Sequence, residues 1–487
     1  MANFNRRNFI KYAGQATALA TMGLSACKNE TTSKEAVKAV ASGKFQIFKK
    51  GEYLPFEKST IEDRLAIAAG KKQGGMSGMP PPPPPPSGAG EGKKENSAPP
   101  PPPPPMGPPP GLNTVKAEDI LKHNRLMDPY NPLFSDKKYA QAAGHPDIPA
   151  FPGFAMPMAE AMDLTIPETL GDQWYYANDG TDLHYTRHIY AGDVLESKRV
   201  AAKFEELTED GTNLRHFAMR GQGETRDAKG NVVVSGATTL RNAYRKIIDG
   251  STKPSFTETM TEWTLDFPKA HYTTDAEWDY IRELWKKETI RGGKVYWEDV
   301  KVGEEPAWTC SGPISHLDII AANPIPMALN PRMMPKEAMN GWFRDSYGNY
   351  LPIYSMHYGG RTIPNMRAVF YNFTAANHVI RAVTNFIGDT GLVTRYSWYF
   401  MQLFKEMRLP REVNGGEYLD KVPALKGKSL NRHGSDGDTV IGKSYITDKY
   451  VKDGNHLIDM TCWGETLDGD ILQLVAVTVK LPSKMGK

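Results

Sequence analysis

The chain has 487 residues, 40% of them apolar, and a formal net charge of +3. This length is enough for two ordinary domains, and no stretch approaches the long uncharged apolar run that a membrane-spanning helix requires. Removing the three basic residues among the first 27 brings the formal charge to zero. That balance argues against nucleic acid as a partner, because nucleic acid selects a clustered basic face.

The first 27 residues have the layout of an export signal. Arg6 and Arg7 are followed by a mildly apolar run over 12–23 and by Leu24-Ser25-Ala26-Cys27. This order resembles a twin-arginine lipoprotein signal, which implies that the protein is exported already folded and that Cys27 is lipidated. We therefore expect a lipoprotein anchored to a membrane through Cys27 and facing the periplasm or the cell exterior. A short soluble helix with a chance Arg-Arg pair is the alternative.

Residues 28–112 are rich in Lys, Gly, Ser and Pro and predict a disordered spacer. Seven prolines in a row occur at 80–86 and again at 99–105. Each tract is expected to form a stiff left-handed helix of roughly 22 Å, since polyproline II rises about 3.1 Å per residue. The spacer would hold the folded body away from a membrane. Alternatively, the tracts are ligands for a proline-binding domain.

Folded sequence is predicted from residue 113 onward, in two similar halves. The first, 113–254, has an Ala- and Met-rich helical stretch over 153–163, followed by alternating apolar patterns with turn signals between them. These patterns predict four strands, at 183–190, 194–206, 213–225 and 232–246. Residues 255–294 read as a charged, mostly helical connector.

The second half, 295–487, repeats this order. Apolar residues recur at helical spacing over 365–386, and four further strands are predicted after them, at 395–404, 438–451, 455–466 and 471–481. A long helix buried by an antiparallel sheet is a hot-dog arrangement. The predicted fold class is therefore α+β, with two hot-dog domains fused in one chain after a disordered Pro-rich spacer. Hot-dog domains normally pair, so a homodimer is possible unless the internal duplication already meets that need.

Four segments resemble the MaoC-like acyl dehydratases, over about residues 113–484. They are Asp128-x-x-Asn131-Pro132-Leu133-x-x-Asp136, the run from Gly180 to Asp193, Trp297-Glu-Asp-Val-x-Val-Gly303, and Gly388-Asp389-x-Gly391. The resemblance, to the R-specific enoyl-CoA hydratases with a double hot dog, implies a lyase that adds or removes water at a trans-2-enoyl thioester. It implies a small acyl or acyl-thioester ligand as the partner.

The residues of the first half depart from the family's catalytic pattern. Phe134 stands where the family places its histidine, and Asp128 lies one residue too early relative to Asn131. We expect no proton transfer there. Asn131 and Asp136 are candidate substrate-binding residues, with a structural role in tying down the loop as the stronger interpretation.

In the second half, His357 matches the family's histidine position and is the best candidate catalytic residue. Asp318 is the nearest upstream acid of the right type, and a carboxylate and a histidine that share one water are able to perform both proton transfers. Asn323 copies the Asn-Pro motif and is a candidate for substrate binding, although Pro326 occupies the histidine position there. An alternative for His357 is a loop histidine bonded to the backbone.

No metal or cofactor is predicted. The histidines show no HxH or HExxH spacing, and after Cys27 only Cys310 and Cys462 remain, far apart and without CxxC spacing. Export would permit one disulfide between them.

The sequence leaves two candidate functions: a hydratase or dehydratase, and an exported acyl-ligand binding protein with a degenerate site. A scaffold that works through its proline tracts is a third.

Overall fold

The computed structural model describes residues 45–68, 112–154, 174–246, 248, 271, 273–314, 372–402, 405–434 and 437–486. Within these ranges lie six helices, three-residue helical turns, and ten strands. The helices are α1 (Pro55–Ala68), α2 (Ala117–Met127), α3 (Lys137–Ala142), α4 (Asp275–Lys287), α5 (Asn372–Thr384) and α6 (Gly416–Asp420). None of the helices in these ranges is long and apolar enough to cross a bilayer.

The strands form one antiparallel sheet. They are β1 (Asn113–Thr114), β2 (Trp174–Tyr185), β3 (Val194–Glu206), β4 (Arg215–Asp227), β5 (Val232–Tyr244), β6 (Thr309–Ser311), β7 (Leu392–Phe400), β8 (Val440–Lys452), β9 (Asn455–Glu465) and β10 (Ile471–Lys480). Their order across the sheet is β1-β3-β4-β5-β2-β7-β10-β9-β8-β6. Each predicted strand overlaps an observed one. The short edge strands β1 and β6 carry no alternation to detect.

The two halves of the sheet have the same strand order, counted from the centre of the sheet outward. In each half the first long strand lies at the centre, the fourth, third and second follow outward, and a short strand pairs with the second. The central strands β2 and β7 pair antiparallel, with Leu183 opposite Tyr396. The two halves are therefore structural repeats whose sheets join into one, which is the double hot dog predicted from the sequence.

The second repeat buries its central helix against the sheet. Val379, Ile380 and Val383 of α5 are fully buried. Gly442 and Gly464 face each other on β8 and β9 beneath the helix, where a Cβ at Gly442 would lie 3.0 Å from the carbonyl oxygen of His378. Glycine at this contact lets the helix backbone approach the sheet. Most of the helix predicted for the first repeat, 155–163, lies outside the described residues.

Local turn chemistry sets the register of the strands. Asp453 and Gly454 have φ values of 50° and 73° and join β8 to β9 in a two-residue loop, with Lys452 opposite Asn455. Positive φ at both central residues is the requirement of a type I′ hairpin, which matches the twist of the flanking strands.

Residues 45–68 correct the spacer prediction. Phe48 and Ile61 of this segment are buried against Phe217, Leu240 and Tyr244 of the first repeat. Glu57 and Arg215, both inaccessible to solvent, form an ion pair with Arg215 Nε 2.8 Å from Glu57 Oε1. Because apolar burial and a buried ion pair hold it, this segment belongs to the folded body. The proline tracts lie outside the described residues.

Other parts of the connecting sequence close the remaining surfaces. The connector helix α4 begins at a capping box formed by Thr274 and Glu277 and buries Ile281 and Leu284. The segment between β7 and β8 covers the outer face of the second repeat with Leu419, Leu425 and other apolar residues. Cys310 and Cys462 are both free and buried.

Candidate functional site

The first-half motif forms a capped turn. The side chain of Asn131 accepts a hydrogen bond from the Leu133 amide at 3.1 Å, at the start of the helical turn Pro132–Phe134. Asp136 accepts bonds from the amides of Lys138 and Tyr139 at 2.8 and 3.2 Å, at the start of α3. Both side chains therefore satisfy backbone donors. Substrate binding by these residues stays a prediction.

Phe134 places a hydrocarbon ring where the resemblance described above would call for a histidine. It is 4% exposed and packs edge-on against Phe151, with ring centroids 5.0 Å apart. Asp128 is also buried, and its Oδ1 accepts a bond from the Tyr130 amide at 3.3 Å. A phenyl ring transfers no proton, so this turn offers an apolar wall.

An apolar cavity lies beside Phe134, at the seam between the two repeats. About 510 Å³ of space without protein atoms lies among its lining residues, and part of this space is open to solvent. Its walls come from the first-half turn, the loop at 150–154, the end of β2 and the end of α5. The lining residues that carry the following argument are Leu133, Phe134, Tyr185, Arg187, His188 and Ile387.

The polar groups in the wall of this cavity carry little charge. Asp193 neutralises Arg187 through two hydrogen bonds, of 2.7 and 3.0 Å. Burial, and then the neighbouring His145, lower the pKa of His188 to about 4, so its ring is neutral at pH 7. The Tyr185 hydroxyl accepts a bond from the Gly153 amide at 2.8 Å. The cavity is therefore suited to an uncharged, hydrocarbon-rich group.

The Gly388-Asp389-x-Gly391 motif holds the seam together next to the cavity. Asp389 Oδ2 accepts bonds from the Tyr139 hydroxyl and the Gly293 amide, at 3.0 and 2.5 Å. Gly388 has φ +70°, and a Cβ there would lie 2.6 Å from the Gly293 carbonyl oxygen. The motif follows the end of α5, and through these bonds it connects the second repeat to α3 and to the end of the connector.

His145 of the first repeat connects Asp389 to Tyr190, which lies between β2 and β3. The Asp389 carbonyl oxygen lies 2.6 Å from His145 Nε2, and the Tyr190 hydroxyl lies 2.8 Å from His145 Nδ1. Because a carbonyl oxygen only accepts, Nε2 of His145 is the donor to it. With its N–H at Nε2, the ring accepts a hydrogen bond from the Tyr190 hydroxyl at Nδ1. The sequence analysis did not predict the contacts of His145. The only sequence signal near them was the Gly388-Asp389-x-Gly391 motif.

The structure does not describe the predicted catalytic residues. His357, Asp318 and Asn323 lie outside the described residues, and so does Cys27. In the part of the chain that is described, one group of potential metal ligands occurs, at His271, Glu277 and Asp468. The two ring nitrogens of His271 face different carboxylates, at 3.2 and 3.5 Å, which is an ion-pairing geometry.

One family model matches part of the chain. Residues 109–235 match the family model described as FAS1-like, dehydratase domain region, which supports a dehydratase-type domain in the first half. No curated protein sequence matches the chain.

Solved structures resemble the chain only distantly. A MaoC-like dehydratase is 13% identical, covering 76% of this chain and 95% of its own, with a TM-score of 0.38. A putative MaoC domain dehydratase from Chloroflexus aurantiacus is 12% identical, with coverages of 77% and 93% and a TM-score of 0.37. A conserved hypothetical protein from Mycobacterium tuberculosis with a double hot-dog fold is 12% identical, with coverages of 76% and 93% and a TM-score of 0.38. Likeness at this level says nothing about function.

Proposed function

We propose that the protein is a MaoC-like hydratase or dehydratase that adds or removes water at a conjugated enoyl thioester or a related acyl compound. The observation that carries the proposal is the neutral, apolar cavity beside Phe134, in a region that matches a dehydratase family model. In this proposal the first repeat receives the hydrocarbon part of the acyl group, and the second repeat supplies the chemistry.

The proposed reaction requires a base, a proton donor and hydrogen-bond donors to the thioester oxygen, all in the second repeat. In hydration, the oxygen of water bonds to the β carbon, one proton of that water is removed by a base, and a proton is delivered to the α carbon. We assign the proton transfers to His357, with Asp318 as its acidic partner. Amide groups at the start of the central helix are the expected donors to the thioester oxygen as it gains charge.

Hydration of enoyl-CoA by the full-length protein tests this proposal. Loss of the enoyl absorbance with crotonyl-CoA or a longer 2-enoyl-CoA, abolished by His357→Ala, is the expected result. Phe134→Ala is the matched variant, since it removes cavity wall without touching the proposed proton donors. It should retain turnover and shift the preferred acyl chain length. Turnover that survives His357→Ala would refute the assigned mechanism.

The second candidate is an exported acyl-ligand binding protein with a degenerate site. Phe134 in the histidine position favours it, and so does export, because CoA esters are cytoplasmic metabolites. Binding of a fluorescent fatty acyl probe, displaced by acyl ligands, without turnover of any enoyl thioester would establish this candidate over the enzyme.

Export and anchoring remain part of the proposal. Only 17 residues separate Cys27 from Phe45, the first described residue. At about 3.3 Å per residue, this tether reaches no more than roughly 60 Å. We propose that a lipidated Cys27 therefore holds the body near the membrane. Metabolic labelling with a fatty acid, lost in Cys27→Ala, tests this step, and unlabelled protein recovered from the cytoplasm would refute it.

A further inference from the structure

A buried polar cluster joins the two repeats between α2 and α5. Asp128, at the end of α2, is 1% exposed, and Arg381 and Asn385, one turn apart on α5, are 7% and 3% exposed. Glu288, after the connector helix, accepts a bond from Asn385 Nδ2 at 3.0 Å and pairs with Arg381 Nη2. Arg381 Nη1 donates to Ser311 Oγ at 2.9 Å. The cluster thus draws on four separate segments of the chain.

Three side-chain atoms of this cluster have no hydrogen-bond partner in the described part of the chain. They are Asp128 Oδ2, Arg381 Nε and Asn385 Oδ1. Arg381 Nε lies 3.8 Å from Asp128 Oδ1, which is too long for a direct hydrogen bond. Buried polar groups are almost always satisfied, so these three atoms together need an explanation.

The chemical character of each atom is set at a pH where Asp128 is ionised. Glu288 accepts hydrogen bonds, so Asn385 must present its NH₂ group to that carboxylate, which leaves its carbonyl oxygen as a free acceptor. Arg381 Nε carries a hydrogen and is only a donor. An ionised Asp128 Oδ2 is an acceptor. The cluster therefore requires a group with two donors and one acceptor.

We propose that this seam binds one ordered water molecule. The water donates to Asp128 Oδ2 and to Asn385 Oδ1 and accepts from Arg381 Nε, which satisfies all three atoms. A polar contact beyond 3.5 Å is a common sign of such a bridge, and buried waters typically make about three hydrogen bonds. A metal ion is disfavoured because the Arg381 guanidinium already supplies the positive charge.

The water couples the first-half motif to the central helix of the second repeat. Asp128 holds the Tyr130 amide, two residues before the turn that places Phe134 in the cavity wall. Arg381 and Asn385 belong to α5, whose end contributes Ile387 to the same wall. Through the water, the two sides of the cavity share one hydrogen-bond network. This inference stands independently of the proposed reaction.

A crystal structure of the full-length protein, at a resolution that shows ordered water, tests the site directly. We expect a density peak at about 3 Å from Asp128 Oδ2, Asn385 Oδ1 and Arg381 Nε. The peak should persist in Asp128→Asn, which has nearly the same shape, and disappear in Asp128→Leu. Absence of the peak from the wild type, or a direct bond between the Asp128 and Asn385 side chains, would overturn the proposal.

A thermal double-mutant cycle gives a second readout. The sum of the melting-temperature shifts of Asp128→Ala and Asn385→Ala should be larger than the shift of the double variant. The reason is that each single substitution already breaks the same water bridge. Glu52→Ala, an exposed position in the segment 45–68, serves as the control partner and should give additive shifts with Asp128→Ala. Additive shifts for Asp128 with Asn385 would overturn the bridge.

Discussion

The docking of residues 45–68 on the first repeat depends on one buried carboxylate. Glu57 accepts bonds from Arg215 Nε and Nη2 at 2.8 and 3.0 Å, and the Tyr244 hydroxyl donates to the same carboxylate. Both members of the ion pair are inaccessible to solvent. The perturbation that isolates this contact is Glu57→Ala.

The size of the effect follows from what remains around the arginine. Removing one partner of a buried ion pair typically costs about 3–5 kcal/mol, because the other charge stays buried. Arg215 keeps Glu206, at 2.7 Å from Nη1, so we expect the lower end, about 3 kcal/mol. Since 1.4 kcal/mol is a factor of ten, this corresponds to roughly a hundredfold rise in the undocked population of the segment.

Hydrogen exchange followed by mass spectrometry measures this population. Peptides that cover 45–68 should lose protection by about two orders of magnitude in Glu57→Ala, while peptides from β9 and β10 should not change. Glu52→Ala is the matched control. In the described part of the chain its carboxylate pairs with the exposed Lys49, and the backbone carbonyl that Arg215 contacts is retained. Unchanged protection in Glu57→Ala would show that the ion pair does not hold the segment.

Three further changes test other parts of the seam and the core. Burial raises the pKa of Asp128 in the folded state, so the folded protein binds this proton more tightly than the unfolded chain does. Wild-type stability relative to Asp128→Asn should therefore fall as the pH rises above about 4, and melts that show the opposite slope would contradict this. Gly442→Ala would place a Cβ 2.4 Å from Thr309 Oγ1 and 3.0 Å from the carbonyl oxygen of His378 on α5, and it should cost about 1–3 kcal/mol in urea unfolding; an unchanged midpoint would refute the close packing of helix and edge strand at this glycine. Asp389→Asn replaces a charged acceptor of the Tyr139 and Gly293 bonds and should cost about 1.5–3 kcal/mol by thermal melting; wild-type stability would show that the charge on this acceptor is dispensable.

The helix of the second repeat and the long strands could be predicted because their signals are local. Alternation over 194–206 predicted β3 with its observed ends, and the Asp453-Gly454 pair marked the hairpin between β8 and β9. The apolar spacing over 365–386 predicted the region of α5. In each case the signal is a periodic pattern or a turn preference of residues close together in the chain. These elements could therefore be predicted without knowledge of any distant contact.

Part of the candidate site was also readable from the sequence. Phe134 in the histidine position predicted that the first-half turn lacks proton transfer, and the structure gives that ring a place in an apolar wall. The motif Gly388-Asp389-x-Gly391 stood out by its pattern. Its role in connecting the second repeat to α3 was not readable, because Tyr139 lies 250 residues away in the chain.

Only the tertiary structure decided that residues 45–68 belong to the body and that Asp128 meets Arg381. Pro55–Ala68 has no marked amphipathic period and lies beside low-complexity sequence, so its composition predicted a spacer. Its order comes from Arg215, 158 residues further along, whose buried charge requires Glu57. The sequence by itself determined the local periods and turns, and hence the two repeats. The seam, the cavity and the docked segment arise from pairings between distant residues, whose energy exists only once the chain has folded.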